Sequence, residues 1–284
     1  MFKTLIDPST LAPHLADPNW AVIDCRFDLT NPDKGEEQYR EGHIPGARYA
    51  HLDRHLSGPK TGKNGRHPLP DSEKIIRNFS DLGISPGMQV VAYDGDSGMY
   101  AARLWWMLRW LGHDSVAVLD GGLQAWEAAG GAVTNREEPS HFQSNFVTGE
   151  PLMRLVDTKT VATRLAQADQ TLIDARAPQR YRGEVEPLDP IAGHIPGALN
   201  RPFSENLGPD GKFKPAAQLR AEFESLLAGR EPSTVVHQCG SGVSAVPNLL
   251  AMQVAGLGPT ALYAGSWSEW SNTPGLPTRQ GAEP

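Results

Sequence analysis

Cysteine is scarce in this sequence, which contains only Cys25 and Cys239 among its 284 residues. Small proteins that rely on disulfides contain many more cysteines, and a chain of this length can bury a sufficient core without them. Two isolated cysteines also lack the paired spacing of a structural zinc site. We therefore expect two free thiols and no zinc site.

Positive charge and long apolar stretches are lacking as well. The formal net charge is −7 and the isoelectric point is about 5.7, whereas a nucleic-acid surface needs clustered Lys and Arg. The longest apolar segment, Leu104–Leu111, contains Arg109 and is too short to cross a bilayer. Asp7 and Pro8 interrupt the region in which a secretory signal needs a continuous apolar stretch. We expect a soluble, cytoplasmic protein that binds neither nucleic acid nor a membrane.

An internal repeat is present. Four short segments occur twice in the same order, at 21–26 and 171–176, 41–47 and 192–198, 90–95 and 235–240, and 119–122 and 262–265. A repeat of this length indicates a duplicated domain rather than a solenoid of short units. The sequence predicts an N-terminal domain over 1–138, a linker over 139–152 and a C-terminal domain over 153–284.

The pattern within each copy is typical of an α/β fold. Short apolar runs predict buried strands at 90–93, 116–119, 235–238 and 261–263, and longer amphipathic segments predict helices at 72–82, 100–111, 216–227 and 245–255. Strands that alternate with helices in this way form a mainly parallel sheet flanked by helices. We predict one such sheet in each domain.

The two copies differ at the loop after one of these strands. The first copy has Asp94 followed by Gly-Asp-Ser-Gly, and the second has Cys239 followed by Gly-Ser-Gly-Val-Ser-Ala. Ligand sites in open parallel sheets lie beyond the carboxyl ends of the strands, where both loops fall. Since only the second loop has a cysteine nucleophile, we expect one active site and a catalytically inactive N-terminal domain. Cys25, which aligns with Ala175 in the other copy, is expected to be structural.

The composition of the second loop suits a thiolate. Gly240 and Gly242 allow a tight turn in which successive main-chain N–H groups converge on one point. A helix that begins directly afterwards adds partial positive charge, and Pro247 near its start favours Ser244 as the N-cap. Such surroundings stabilise both a thiolate and a persulfide on Cys239.

Residues 239–245 resemble the active-site loop of the tandem-domain rhodanese-like sulfurtransferases, most closely the 3-mercaptopyruvate sulfurtransferase group. The His-Ile-Pro-Gly turns at 43–46 and 194–197 and the segments at 119–122 and 264–270 are similar to other signatures of this family. The resemblance implies two rhodanese-like domains and a ping-pong mechanism that needs no metal and no organic cofactor. In that mechanism Cys239 takes sulfur from a small anionic donor and passes it, through a persulfide, to cyanide or to a thiol, with thioredoxin among the candidate acceptors.

The resemblance also implies roles for individual residues. Ser241, His67 and Asp53 match positions of a proton-relay set, which would handle the thiol proton of 3-mercaptopyruvate. The loop residues expected to surround the donor are Gly240, Gly242, Val243 and Ser244. The loop is neutral, whereas thiosulfate enzymes of the family usually have basic residues there. We therefore expect 3-mercaptopyruvate as the donor, with thiosulfate as the alternative.

A substrate carboxylate requires a cation, and Arg180 matches one of two arginines that the family uses for this purpose. The second arginine is missing from the segment 184–190 that follows. Either Arg182 or Arg201 replaces it, or the site binds a different donor.

Two alternatives belong to other functional classes. Phosphatases that use a cysteine in a similar loop need an arginine six positions after it, and Ala245 stands there, which makes phosphatase activity a poor fit. A non-catalytic sulfur-relay or binding module remains an open alternative.

Overall fold

The structure is a computed structural model that describes residues 1–95, 97–139 and 144–284. The chain divides into two compact units. The first unit comprises Met1–Gly58, Pro70–Leu152 and Pro209–Phe213, and the second comprises Pro59–Leu69, Met153–Gly208 and Lys214–Pro284. Segment 59–69 therefore belongs to the second unit although the first half of the chain encodes it.

The first unit is a five-stranded sheet with helices between its strands. Its strands are β1 (Leu5–Ile6), β2 (Trp20–Asp24), β3 (Arg48–Tyr49), β4 (Gln89–Tyr93) and β5 (Val116–Leu119). Its helices are α1 (Pro8–Leu11), α2 (Lys34–Glu41), α3 (Ser72–Asp81), α4 (Met99–Trp110) and α5 (Gly122–Ala128), with a 3₁₀ turn at Ala12–His14.

The second unit repeats this arrangement. Its strands are β6 (Arg154–Val156), β7 (Thr171–Asp174), β8 (Leu199–Asn200), β9 (Val235–Gln238) and β10 (Ala261–Tyr263). Its helices are α6 (Thr158–Thr163), α7 (Pro178–Tyr181), α8 (Ala216–Leu227), α9 (Val246–Val254) and α10 (Ser266–Trp270), with 3₁₀ turns at Phe203–Asn206 and Pro232–Thr234.

The two sheets have the same strand order. It is β1-β5-β4-β2-β3 in the first unit and β6-β10-β9-β7-β8 in the second, and the paired strands run parallel. The strands β4 and β9 lie in the middle of their sheets and are buried along their whole length, which explains their continuous apolar or uncharged character. The predicted fold class, two α/β domains with parallel sheets, is confirmed.

Equivalent side chains stabilise equivalent places in the two units. Arg26 pairs with the buried Asp24, and Arg176 pairs with the buried Asp174, each with an Nη2–Oδ2 distance of 2.6 Å. Trp126 and Trp270 lie in the two cores, and each indole N–H donates to a main-chain carbonyl at 2.8 Å. The duplication seen in the sequence is therefore also a duplication of packing.

The start of α9 differs from the prediction. The helix begins at Val246 with Ala245 as its N-cap, so the prediction of Ser244 as the N-cap was wrong. The reason is a tight turn before the helix, in which the N–H of Val246 donates to the carbonyl of Val243 at 3.1 Å. Pro247 still falls within the first helical turn, where its missing N–H leaves no acceptor unsatisfied.

The predicted linker, 139–152, includes residues 140–143, which lie outside the described residues. Its later part is associated with the first unit, where the buried Phe146 packs against Phe79 with ring centroids 5.1 Å apart. The predicted domain boundaries stay a prediction. Among the described residues, no helix is both long and apolar enough to cross a membrane.

Candidate active site

Cys239 directly follows β9, the central strand of the second sheet. Its main-chain N–H donates to Oγ of Ser266 at 3.1 Å, and its carbonyl accepts from the N–H of Trp267 at 2.9 Å. The next carbonyl, that of Gly240, accepts from the N–H of Ser268 at 2.9 Å. The start of α10 therefore holds the first two residues of the loop in place.

Ser266 is a positioning residue that the sequence analysis missed. Its side chain is buried, and its hydroxyl donates to the carbonyl of Tyr263 at 2.9 Å while accepting from Cys239. Its φ of 54° lies in the left-handed region, which a residue with a side chain adopts at a cost when its surroundings require it. The signal that could have indicated it is its position directly after the repeated segment 262–265.

The sulfur atom of Cys239 lies in a turn of converging N–H groups. Sγ accepts from the N–H of Gly242 at 3.2 Å and from the N–H of Ser241 at 3.5 Å. Gly242 has a φ of 75°, and a Cβ atom at this position would lie 2.4 Å from the carbonyl oxygen of Ala264. Only glycine fits such a place, because both the backbone conformation and the space exclude a side chain.

The loop around Cys239 is largely shielded from solvent. Val243 is buried and Ser244 is partly buried. Cys239 itself is 1 % exposed in the complete chain.

His67 lies beside the loop, since it belongs to the segment 59–69 of the second unit. Its Nδ1 is 2.7 Å from Oγ of Ser241, and both residues are buried. The pair can pass a proton between an imidazole and a hydroxyl two positions from the cysteine. Asp53 belongs to the first unit, where its main-chain N–H donates to Nδ1 of His51 at 3.1 Å. A relay that includes Asp53 stays a prediction.

Two arginines lie directly against the loop. A Cβ atom on Gly240 would lie 2.8 Å from Nη2 of Arg66 and 3.3 Å from Nη1 of Arg180. Arg180 pairs with Glu186 at 2.6 Å and with Asp189 at 3.3 Å, and Arg66 pairs with Asp189 as well. Arg66 was missed in the sequence, although it directly precedes His67.

The two arginines considered for the missing position lie elsewhere. Arg182 pairs with Glu184 at 2.7 Å, with a third of its side chain exposed. Arg201 is buried over the ring of Phe223 at 4.3 Å and pairs with Glu222 at 2.8 Å. Arg66 is thus the arginine that the structure brings together with Arg180.

Arg176 adds a third positive charge near the sulfur. Burial by itself would lower the pKa of Arg176, but the charge and hydrogen bonds of Asp174, together with the charges of Glu186 and Cys239, raise this pKa overall. Its guanidinium also lies 4.9 Å from the ring centroid of Trp267. Because all its nitrogens bind Asp174, Glu186 or the carbonyl of Gly193, it supports the loop rather than offering free donors.

The equivalent loop of the first unit has an aspartate in place of the cysteine. Asp94 takes the position after β4, and its carboxylate accepts from the N–H groups of Gly98 and Tyr100 at 2.9 Å and of Ala101 at 3.2 Å. The converging donors are therefore already used by a side chain of the same loop. Residue 96 of this loop lies outside the described residues.

Cys25 is the other thiol of the first unit. It is buried, and its Sγ lies 3.9 Å from the carbonyl oxygen of Ile23. Burial, with the charges of Asp24 and Asp94, raises the pKa of Cys25 well above its usual value. A thiol that resists ionisation is a poor nucleophile, which supports the structural role predicted for it.

Comparison with known proteins gives the family. The profile of the "Rhodanese-like domain" matches this chain twice, at residues 7–129 and 157–273. The chain belongs to the rhodanese-like domain family. The predicted resemblance is confirmed, and both rhodanese-like domains are present.

The matches to several relatives cover nearly the whole chain, including both rhodanese-like domains. The "Probable 3-mercaptopyruvate sulfurtransferase" of Pseudomonas aeruginosa is 48% identical over 283 residues, covering 98% of each chain. The thiosulfate sulfurtransferase of Mus musculus is 32% identical, with 95% of this chain and 92% of the mouse protein covered. The solved structure of a 3-mercaptopyruvate sulfurtransferase from Leishmania major has a TM-score of 0.81 and 33% identity, and the match covers 95% of this chain and 74% of that one.

Proposed function

We propose that this protein is a sulfurtransferase that moves sulfur from a small anionic donor, through a persulfide on Cys239, to a thiophilic acceptor such as cyanide or a thiol. The observation that carries the proposal is the sulfur of Cys239 lying within hydrogen-bond distance of two main-chain N–H groups. Main-chain donors held in this way stabilise an anion at the sulfur without a metal ion. Relatives that match the full length are named sulfurtransferases, which supports the same reaction here.

The reaction has two steps. The Cys239 thiolate attacks the transferable sulfur of the donor, so that an S–S bond forms and the bond between that sulfur and the rest of the donor breaks. With 3-mercaptopyruvate the electron pair leaves on carbon, and protonation yields pyruvate; with thiosulfate it leaves as sulfite. The acceptor then attacks the outer sulfur and releases Cys239 as the thiolate.

We propose 3-mercaptopyruvate as the preferred donor. This donor carries a carboxylate, for which Arg180 and Arg66 provide cations beside Gly240. It also carries a thiol proton, for which the contact between His67 and Ser241 offers a path, with Asp53 as the further member of the predicted relay. The relative from Pseudomonas aeruginosa supports this choice by its name.

Thiosulfate is the second candidate, because the mouse relative bears that name and the two arginines also suit an oxyanion. The two donors are separated by the ratio of their kcat/KM values with cyanide as the common acceptor. A ratio in favour of thiosulfate would overturn the proposal that 3-mercaptopyruvate is the preferred donor and would leave the persulfide step intact.

We propose a cytoplasmic thiol, with thioredoxin among the candidates, as the acceptor in the cell.

The persulfide is tested by mass spectrometry of the protein after treatment with 3-mercaptopyruvate or thiosulfate in the absence of an acceptor. We expect one additional sulfur atom on the peptide that contains Cys239, and its loss when cyanide is added. The Cys239→Ser variant should neither gain sulfur nor turn over, whereas Cys25→Ser, the matched control, should do both. An unmodified Cys239 would show the protein to be a binding module instead.

A further inference from the structure

We infer that Asp189 determines which donors the site accepts, by favouring donors with one negative charge over donors with two. The inference rests on the proposed function, since it concerns the donor that approaches Cys239. It follows from the position of the Asp189 carboxylate between the two arginines that lie against the loop.

Asp189 bridges these arginines. Its Oδ1 pairs with Nη1 of Arg66, and its Oδ2 lies 3.3 Å from Nη2 of Arg180. The side chain of Asp189 is only 2% exposed, and its main-chain N–H donates to Oε1 of Glu186 at 3.2 Å. The carboxylate is therefore a built part of the site and not a mobile surface charge.

Other guanidinium nitrogens of the same two arginines lie against the loop. The Nη2 atom of Arg66 and the Nη1 atom of Arg180 lie nearest to the Cβ position of Gly240. Nε of Arg180 is buried and has no hydrogen-bond partner among the described residues. A buried guanidinium donor without a partner is costly, which indicates that an anion completes the site.

The charges around the loop balance before a donor binds. Three arginines (Arg66, Arg176 and Arg180) are paired with three carboxylates (Asp174, Glu186 and Asp189). The thiolate of Cys239 then makes the site negative. Each further negative charge on the donor meets this excess at short range, so a dianion such as thiosulfate is penalised more than a monoanion such as 3-mercaptopyruvate.

Removing the charge of Asp189 should relax this selectivity. In Asp189→Asn the ratio of kcat/KM for thiosulfate to kcat/KM for 3-mercaptopyruvate should rise by about tenfold, mainly through a lower KM for thiosulfate. The conservative Asp189→Glu keeps the charge and should keep a ratio close to that of the unchanged protein. Thermal unfolding confirms that each variant is folded.

The matched control is Asp169→Asn. Asp169 is a more exposed carboxylate of the same unit, paired with Arg164 at 3.8 Å, and it precedes β7 at the amino end of the sheet. Its removal changes the net charge equally and should leave the ratio unchanged. An Asp189→Asn ratio that stays constant or falls, or a control that rises equally, would overturn the inference. If the unchanged protein transferred sulfur from neither donor, the proposed function itself would be refuted.

Discussion

Asp94 and Cys239 occupy the same position in the two units, each directly after a central strand and each accepting hydrogen bonds from main-chain N–H groups that follow it in the chain. The side chain of Asp94 is a carboxylate that has no sulfur to transfer, whereas the sulfur of Cys239 can exist as a thiol, a thiolate or a persulfide. The same arrangement of donors therefore stabilises the fold in the first unit and is available for chemistry in the second.

We predict that Asp94→Asn destabilises the first unit by about 1–3 kcal/mol, because an amide accepts through only one of its two heavy atoms and leaves N–H groups unsatisfied. Urea unfolding followed by circular dichroism measures the change. Glu127→Gln, which alters an exposed carboxylate of α5, is the control and should change stability by less than about 0.5 kcal/mol. Equal stability of the two variants would show that Asp94 does not organise this loop.

Ser241→Ala should lower kcat/KM for 3-mercaptopyruvate by roughly 100-fold and affect thiosulfate much less, since only the first donor brings a thiol proton. The reason is the loss of the hydroxyl that lies 2.7 Å from Nδ1 of His67. His67→Gln should likewise lower kcat/KM for 3-mercaptopyruvate more than for thiosulfate. The exposed Ser233 provides the control, because Ser233→Ala should leave both donors unchanged. Equal losses for the two donors would argue against a proton path through this pair.

Gly242→Ala tests the close packing of the catalytic loop. The new Cβ atom would lie 2.4 Å from the carbonyl oxygen of Ala264. Gly229 has a φ of 86° and nothing within 4 Å of its Cβ position, so Gly229→Ala isolates the cost of the backbone conformation, about 1–2 kcal/mol. We expect Gly242→Ala to cost more stability than this control and also to lower kcat. Identical effects of both variants on stability and kcat would contradict the packing argument.

We predict that the buried His237 makes the stability of the protein depend on pH. Burial, followed by the charge of Arg201, lowers its pKa to about 3, and neither ring nitrogen has a hydrogen-bond partner among the described residues. The unfolded chain binds this proton near pH 6.5 and the folded chain only near pH 3. The stability that the neutral ring maintains is therefore fully present above pH 6.5 and is lost progressively as the pH falls towards 3.

The test compares the unchanged protein with His237→Leu, which cannot take up the proton. We expect its thermal unfolding midpoint to fall less than that of the unchanged protein between pH 7 and about pH 4.5. Parallel falls of the two midpoints would show that His237 does not contribute to acid sensitivity. Activity at pH 7 provides the check that the loop after β9 is intact.

The architecture could be predicted from the sequence because its signals are local or repeated. The strands at Val116–Leu119, Val235–Gln238 and Ala261–Tyr263 and the helix Ala216–Leu227 have the predicted bounds. Apolar runs bounded by Asp or Gly indicate buried strands on their own, and the duplication shows the same pattern twice. The predicted N-cap of α9 was wrong, because the turn before this helix depends on how the loop packs and not on the N-cap preference of Ser244.

The sequence by itself determined the duplicated α/β fold, the family and the loop in which the nucleophile is expected. The tertiary structure decided which charges surround that loop. It brings Arg66 to Asp189, 123 positions away along the chain, and places Arg182 and Arg201 in other ion pairs. No local pattern encodes such partners, because an ion pair depends on which segments the fold brings together and which charges burial leaves in reach of one another.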